Sequence, residues 1–433
     1  MNRNVINTLV LRGWSFLSGI LAFLAIPFFL DTVEQGYYFT FYSLIALQVF
    51  FELGLGQVLI YIFSAQHASQ SDGKPRNNPD DNSQFATLLS TRLVYRAMAL
   101  GFFVVSTTVG FVFFSKSSHS SVDWMAPWLM LSAATAWNLA QSGKLTYLEA
   151  IGCMADVSAM RTKQSIFGSL FFLLALSSGL KLWAAVAIPL TAAMFSTYWL
   201  YQHPLAAPYR KMRQGSSLAR RDLLALWKVK IFPMQWKISL SWISGYFIFQ
   251  LFTPIAFRSF GPAVAGRLGL IMNVMSSLLV VGSTFTTALA PDFAKMIANG
   301  EFISLDCLFF RSLRLSIISL VLVTQGAALG ALFGVQQWPI LATRILDPVD
   351  IWLIATATLF IGITYCLSIY LRAHRDEPLL MVSIFTALAM LPVLIIGSRM
   401  NLSTMLLGYS VVSLMSCFFA FRVFKIVKAS HLA

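Results

Sequence analysis

The run IWLIATATLFIGITYCLSIYL, residues 351–371, carries no charged side chain. About 18 apolar residues are enough for a helix to cross a bilayer core of about 30 Å. Alone, such a run could be a buried helix. Eleven further windows of similar character flank it, at residues 8–30, 37–63, 97–114, 124–139, 165–179, 182–201, 238–257, 264–290, 308–333, 379–396 and 402–421. Twelve in series leave a polytopic membrane protein, and in lipid the backbone must close its hydrogen bonds internally, so the spans are helices. The expected fold is all-α, with about twelve transmembrane helices in two six-helix bundles around a central cavity.

Composition agrees. The chain is 58% hydrophobic and 11% charged, with mean hydropathy +0.73. Soluble proteins carry about 25% charged residues. The first apolar run is full length and no small-residue cleavage site follows it, so it reads as a span, not a cleaved leader.

The net charge of +14 could suggest nucleic acid, but its distribution argues for topology. With the N-terminus inside, 25 of the 31 Lys and Arg residues fall on the inner side. Both termini are therefore expected in the cytoplasm of a multi-pass protein of the inner (plasma) membrane, and the span count is expected to be even. The excess cations also attract anionic membrane lipids. No nucleic-acid partner is expected.

The longest basic connector, around residues 202–237, divides the chain into an N-terminal bundle (1–201) and a C-terminal bundle with a short basic tail (238–433). It reads as an interfacial linker on anionic lipid, or as a docking site for a partner enzyme. Spans one and seven begin about 230 residues apart, and so do Gly36 and Gly266. Halves that enter the membrane in the same direction would be parallel repeats. A polar stretch, QHASQSDGKPRNNPDDNSQ at 66–84, reads as a flexible cytoplasmic loop.

Enzymatic chemistry finds no support. There is no GxxxxGK phosphate loop. The five histidines are scattered, and the four cysteines show neither disulfide nor metal spacing. No cofactor is expected.

Polar groups within spans are costly and mark cavities or partners. Arg12 and Glu52 fall at similar depth in the inner half of spans one and two. Tyr38, Gln48, Glu52 and Gly56 share one helical face. The pair is either a cavity feature or a structural lock between helices. In span seven, Gln235, Ser239, Trp242, Tyr246, Gln250 and Thr253 form a stripe at helical spacing, read as an interhelical seam or as a sugar-tolerant cavity wall. Lys237 and Arg258 stand at its two ends. Arg267 lies near the outer end of span eight, with Asn273 deeper. Arg258 and Arg267 could equally be interfacial snorkellers.

Several stretches resemble a known family: GYYFTFYSL–(x)7–ELGLGQ at 36–57, PMQWKISLSWISGY at 233–246, AGRLGL at 265–270, APDF at 290–293 and YLRAHRDEP at 370–378. They are similar to polysaccharide (O-antigen) flippases of the multidrug/oligosaccharidyl-lipid/polysaccharide (MOP) exporter superfamily. The resemblance implies an inner-membrane protein that moves an undecaprenyl-diphosphate-linked oligosaccharide outward by alternating access, beside polysaccharide polymerase or glycosyltransferase partners. It implies a cavity lined by spans one, two, seven and eight, where Arg12, Glu52, Lys237, Arg258 and Arg267 are the matching charges. Two other readings stay open: a drug or cation antiporter of the same superfamily, and an integral-membrane glycosyltransferase or polymerase.

Overall fold

A computed structural model describes residues 14, 17–19, 21–71, 79–115, 122–204, 231–337, 343–374 and 378–430. Among them the chain is helical, with no strand. The elements are α1 (Leu17–Phe29), α2 (Thr32–Ile45), α3 (Val49–Glu52), α4 (Leu55–Ser71), α5 (Pro79–Phe114), α6 (Met125–Leu148), α7 (Met154–Ser177) and α8 (Ala184–Gln202). After the connector come α9 (Phe232–Phe249), α10 (Phe252–Phe260), α11 (Pro262–Gly282), α12 (Thr284–Ala288) and α13 (Ala290–Asn299). Then follow α14 (Phe302–Gln337), α15 (Pro348–Ala373), α16 (Leu380–Gly397) and α17 (Leu402–Ser430).

Eleven of the twelve apolar windows lie on helical segments, and the twelfth, 8–30, does so where it is described. Among the described residues, eight helices are individually long and apolar enough to cross a membrane, and nine if the bent α2–α4 segment counts as one span. The window at 8–30 runs over residues outside the description. Those at 124–139 and 165–179 sit on α6 and α7, whose polar side chains turn inward onto α8. Pro189 explains why α8 needs them. Its missing N–H frees the carbonyl of Ala185, and Tyr42 Oη donates to that oxygen at 3.1 Å. Asn138 Nδ2 donates to the Pro189 carbonyl at 2.7 Å. Gln141 Nε2 reaches Thr197 Oγ1 at 2.9 Å, and Gln164 Nε2 reaches Ser196 Oγ at 2.7 Å. Amides thus clamp three helices together.

Two expectations about boundaries are corrected. The stretch 66–84 is not a plain loop: α4 continues to Ser71 and α5 restarts at Pro79, a residue suited to a first helical turn. Residues 72–78 lie outside the description. Window 264–290 is not one span, because α11 stops at Gly282 and two short helices follow. The second of these, α13, anchors itself with Phe293, which is fully buried against Leu305, Phe309 and Tyr370. The helix that carries the seventh span, α9, begins at Phe232, while the apolar span itself runs over Ile238–Phe260 with a turn at Gln250–Leu251 into α10. Residues 205–230 of the connector lie outside the description.

The chain forms two compact units. One comprises Met1–Leu30 with Phe41–Ile243, the other Asp31–Thr40 with Ser244–Ala433. The second span is therefore divided, its first nine residues, Thr32–Thr40, belonging with the C-terminal helices. Within that second unit, α2 and α11 meet at Gly36 and Gly266, and Gln35 Nε2 donates to the Gly266 carbonyl at 2.9 Å. The base of the unit is closed by an aromatic cluster of Phe309, Tyr370 and Phe424. Beside it, Lys428 Nζ pairs with Asp306 Oδ2 at 2.9 Å, and Tyr370 Oη donates to Asp306 Oδ1 at 3.0 Å. This pins the last helix, α17, to α14 and α15. Of the four thiols, Cys153 and Cys366 are buried, Cys417 is partly covered and Cys307 is exposed.

Candidate functional site

In the first unit the second span breaks at Leu53 and Gly54, both in the left-handed region with φ of 48° and 69°. Leucine is disfavoured there, so the surroundings must hold it. They do so through α9. Ser239 Oγ lies 3.1 Å from the Leu53 carbonyl, an acceptor that the broken helix leaves without an intrahelical donor. A Cβ on Gly54 would stand 2.4 Å from Ile238 Cγ2 and 3.3 Å from Trp242 Nε1. Glycine is therefore required both by its φ and by the close approach of α9.

Glu52 sits immediately before this break. Tyr95, fully buried on α5, directs its hydroxyl to Glu52 Oε1 at 3.4 Å. Gln48 also hydrogen-bonds the carboxyl group, and Arg161 acts on it at longer range. Gly56 leaves the opening they share: a Cβ there would meet Glu52 Oε1 at 3.4 Å, and Thr146 Oγ1 and Tyr95 Oη at 3.6 Å each. Arg161 itself pairs with Glu149 at 2.7 Å, across the π-turn at Glu149–Cys153 that joins α6 to α7. Glu52 is thus an acceptor held by neutral donors, able to exchange a proton or receive a cationic or hydroxyl-bearing group.

Of the other residues singled out in this region, Arg12 lies outside the described residues, so the expected Arg12–Glu52 pair does too. Lys237 falls on α9, but its side chain is outside the description. Of the expected face of Tyr38, Gln48, Glu52 and Gly56, the last three come together in the first unit, across the 3-10 turn at Ala46–Gln48 and the Leu53–Gly54 break, while Tyr38 belongs to the second unit.

The span-seven stripe is divided between the two units after Ile243. Gln235, Ser239 and Trp242 belong to the first unit, and Tyr246, Gln250 and Thr253 to the second. Gln235, Ser239, Tyr246 and Thr253 are buried, whereas Trp242 keeps 37% of its surface exposed. Ser239 acts as a seam residue.

In the second unit Arg258 is exposed in the last turn of α10, and Asn273 is exposed on α11. Arg267 is half-buried on α11, within electrostatic reach of Asp350 at the start of α15. Asp350 is only 3% exposed and hydrogen-bonds Ser403, but forms no direct ion pair with Arg267. Sequence reasoning missed Asp350, Tyr95 and Thr146. An acid next to a charge-free window was the one visible signal for Asp350. Tyr95 and Thr146 become visible only through packing.

No protein-family profile and no curated protein sequence matches the chain. Solved structures do. The lipid II flippase MurJ in an inward closed conformation aligns with TM-score 0.65 at 12% identity, covering 99% of this chain and 90% of that one. An inward-facing multidrug resistance MATE family transporter of the MOP superfamily aligns with TM-score 0.60 at 13% identity, covering 95% and 98%. A MOP superfamily transporter from Pyrococcus furiosus, described as having a binding pocket of reverse polarity, aligns with TM-score 0.54 at 13% identity, covering 100% and 96%. The fold is similar to that of these solved transporters along essentially the whole chain.

Proposed function

We propose that this protein is a flippase that moves an undecaprenyl-diphosphate-linked oligosaccharide repeat unit outward across the inner membrane, for surface polysaccharide synthesis. The observation that carries this reading is the buried polar stripe of α9 and α10 within a transporter fold. Gln235, Ser239 and Tyr246 are turned into protein, not lipid. Amides and aromatic faces suit sugars, and cations on the neighbouring spans suit a diphosphate. Arg12, Lys237, Arg258 and Arg267 are the cations proposed for that role, with Gln48, Glu52, Trp242, Tyr246, Gln250 and Asn273 as polar contacts.

The energetics are consistent. A sugar diphosphate cannot cross hydrocarbon unaided, since each unsatisfied polar group costs several kcal/mol. Moving about two negative charges outward along an inside-negative potential of ~100 mV contributes roughly 4–5 kcal/mol. This drive needs no nucleotide hydrolysis. The test is expression in a strain lacking its own oligosaccharide flippase. Restored surface glycan supports the reading, and persistent accumulation of the lipid-linked precursor in the inner leaflet refutes it.

A drug or cation antiporter is the second reading, favoured by Glu52 and Asp350, two carboxyl groups with no direct ion pair among the described residues. Efflux of a fluorescent organic cation that depends on either group, without rescue of glycan display, would select it.

A further inference from the structure

The first unit gathers three cations that the sites above do not use. Arg92 and Arg96 lie one turn apart on α5, and Lys144 faces them from α6. The charges acting on Lys144 are those of the two arginines. Among the described residues, no hydrogen-bond acceptor or carboxylate partners it. Glu149 of the adjoining π-turn pairs with Arg161, and Glu52 accepts from Tyr95. Like charges repel at such range, so bringing them together works against folding unless something else holds the helices.

That restraint is visible one residue away. A Cβ on Gly143 would fall 2.7 Å from Tyr95 Cδ2 and 2.8 Å from Thr91 Cγ2. Gly143 lets α6 press directly onto α5, and this close approach sets Lys144 beside the arginine pair. Arg96 is exposed and Lys144 half-covered, so the cluster is open to a ligand from one side. It lies about one turn along α5 from Thr87, where Gln66 Nε2 meets Thr87 Oγ1 at 3.3 Å and the helix leaves its apolar stretch.

We propose that Arg92, Arg96 and Lys144 form a binding site for a lipid-borne phosphate group. The Arg96 guanidinium fork and the Lys144 ammonium supply convergent charge-assisted donors for its oxygens, and Arg92 adds positive charge beside them. The phosphate has two sources in a membrane, the head group of a bulk anionic phospholipid or the diphosphate of a polyprenyl-linked sugar. Only the second source rests on the flippase reading above.

The test uses the full-length protein in phosphatidylcholine nanodiscs doped with either phosphatidylglycerol or undecaprenyl diphosphate, with retained lipid counted by native mass spectrometry. The doubly neutralised variant Arg96→Gln/Lys144→Gln is expected to lose about tenfold in retention, while Lys144→Arg keeps it. Loss confined to undecaprenyl diphosphate assigns the site to the cargo head group. Equal loss of both lipids assigns it to membrane phosphate in general. Thermal stability separates ligand binding from packing, since removing like-charge repulsion should leave Tm unchanged or raised. Unchanged retention of both lipids in the double variant overturns the proposal, as does a loss matched by a lowered Tm that Lys144→Arg shares. Lipid retention that persists while glycan rescue fails would refute the flippase reading and leave this site standing.

Discussion

Gly36 and Gly266 lie back to back where α2 crosses α11. A Cβ on Gly36 would sit 2.0 Å from the Pro262 carbonyl oxygen, and one on Gly266 would sit 2.7 Å from the Gly36 nitrogen. The obstacles are backbone atoms and cannot rotate away. Gly36→Ala and Gly266→Ala should each lower the Tm of the purified protein, by the equivalent of about 1–3 kcal/mol for overpacking. Small residues at membrane helix crossings typically serve such approaches. An unchanged Tm for either variant would show that the helices do not cross there.

Ser239 is the external donor to the Leu53 carbonyl, at 3.1 Å, and also lies 2.7 Å from the Gln235 carbonyl within its own helix. Ser239→Ala should cost about 1–3 kcal/mol, the usual penalty for a buried acceptor left unmade. Ser239→Thr keeps the hydroxyl and should recover part of the loss. The measurement is thermal unfolding in detergent, and equal stability of the Ala and Thr variants would refute the role of the hydroxyl.

Tyr95 and Glu52 should be energetically coupled. A cycle of Tyr95→Phe, Glu52→Gln and the double variant is expected to give an interaction of about 0.5–1.5 kcal/mol. The proposed Arg12–Glu52 relationship has its own cycle. Breaking a buried pair typically costs about 3–5 kcal/mol, so Arg12→Ala and Glu52→Ala together should do less harm than the sum of the two. Full additivity would leave Glu52 to its neutral donors alone.

Arg258 and Arg267 should part company. Both alanine variants are expected to reduce surface glycan, and charge reversal should reduce it further. Protein abundance should stay near normal for Arg258→Ala, since that side chain is exposed. Arg267→Ala should lower abundance as well, because it strips the buried Asp350 of its nearby cation. Adding Asp350→Asn should restore abundance without restoring transport. Immunoblots beside glycan staining read both quantities, and normal glycan in the double alanine variant would remove the electrostatic part of the mechanism.

Much of the architecture was legible because hydropathy over a bilayer-length window is decided by composition alone. Span ends were less so. Residues 264–290 carry a single charge, Arg267, and nothing in Gly282–Ser283 distinguishes a turn from a close-packed helix. The polar stretch 66–84 has the composition of a loop, yet both neighbouring helices extend into it. Leu53 gives no hint of a left-handed residue; the following Gly54 does, but glycine pairs in membrane helices are as often contacts as breaks. Glu52 was visible as a costly intramembrane charge. Its partners Tyr95 and Thr146, and the convergence of Arg92, Arg96 and Lys144, depend on which faces of α5 and α6 meet, and periodicity does not specify that.

The exposed thiol of Cys307 stands next to Asp306, at the foot of the Lys428 lock, while Cys153 and Cys366 are buried. Nature has thus left the protein an attachment point for a reporter without engineering a cysteine into a span. A membrane-impermeant maleimide applied from one face of a sealed vesicle would reveal which compartment that corner of the molecule faces. A fluorophore placed there would sense the fraying of α17 from α14 as a change of emission, in the unmodified sequence.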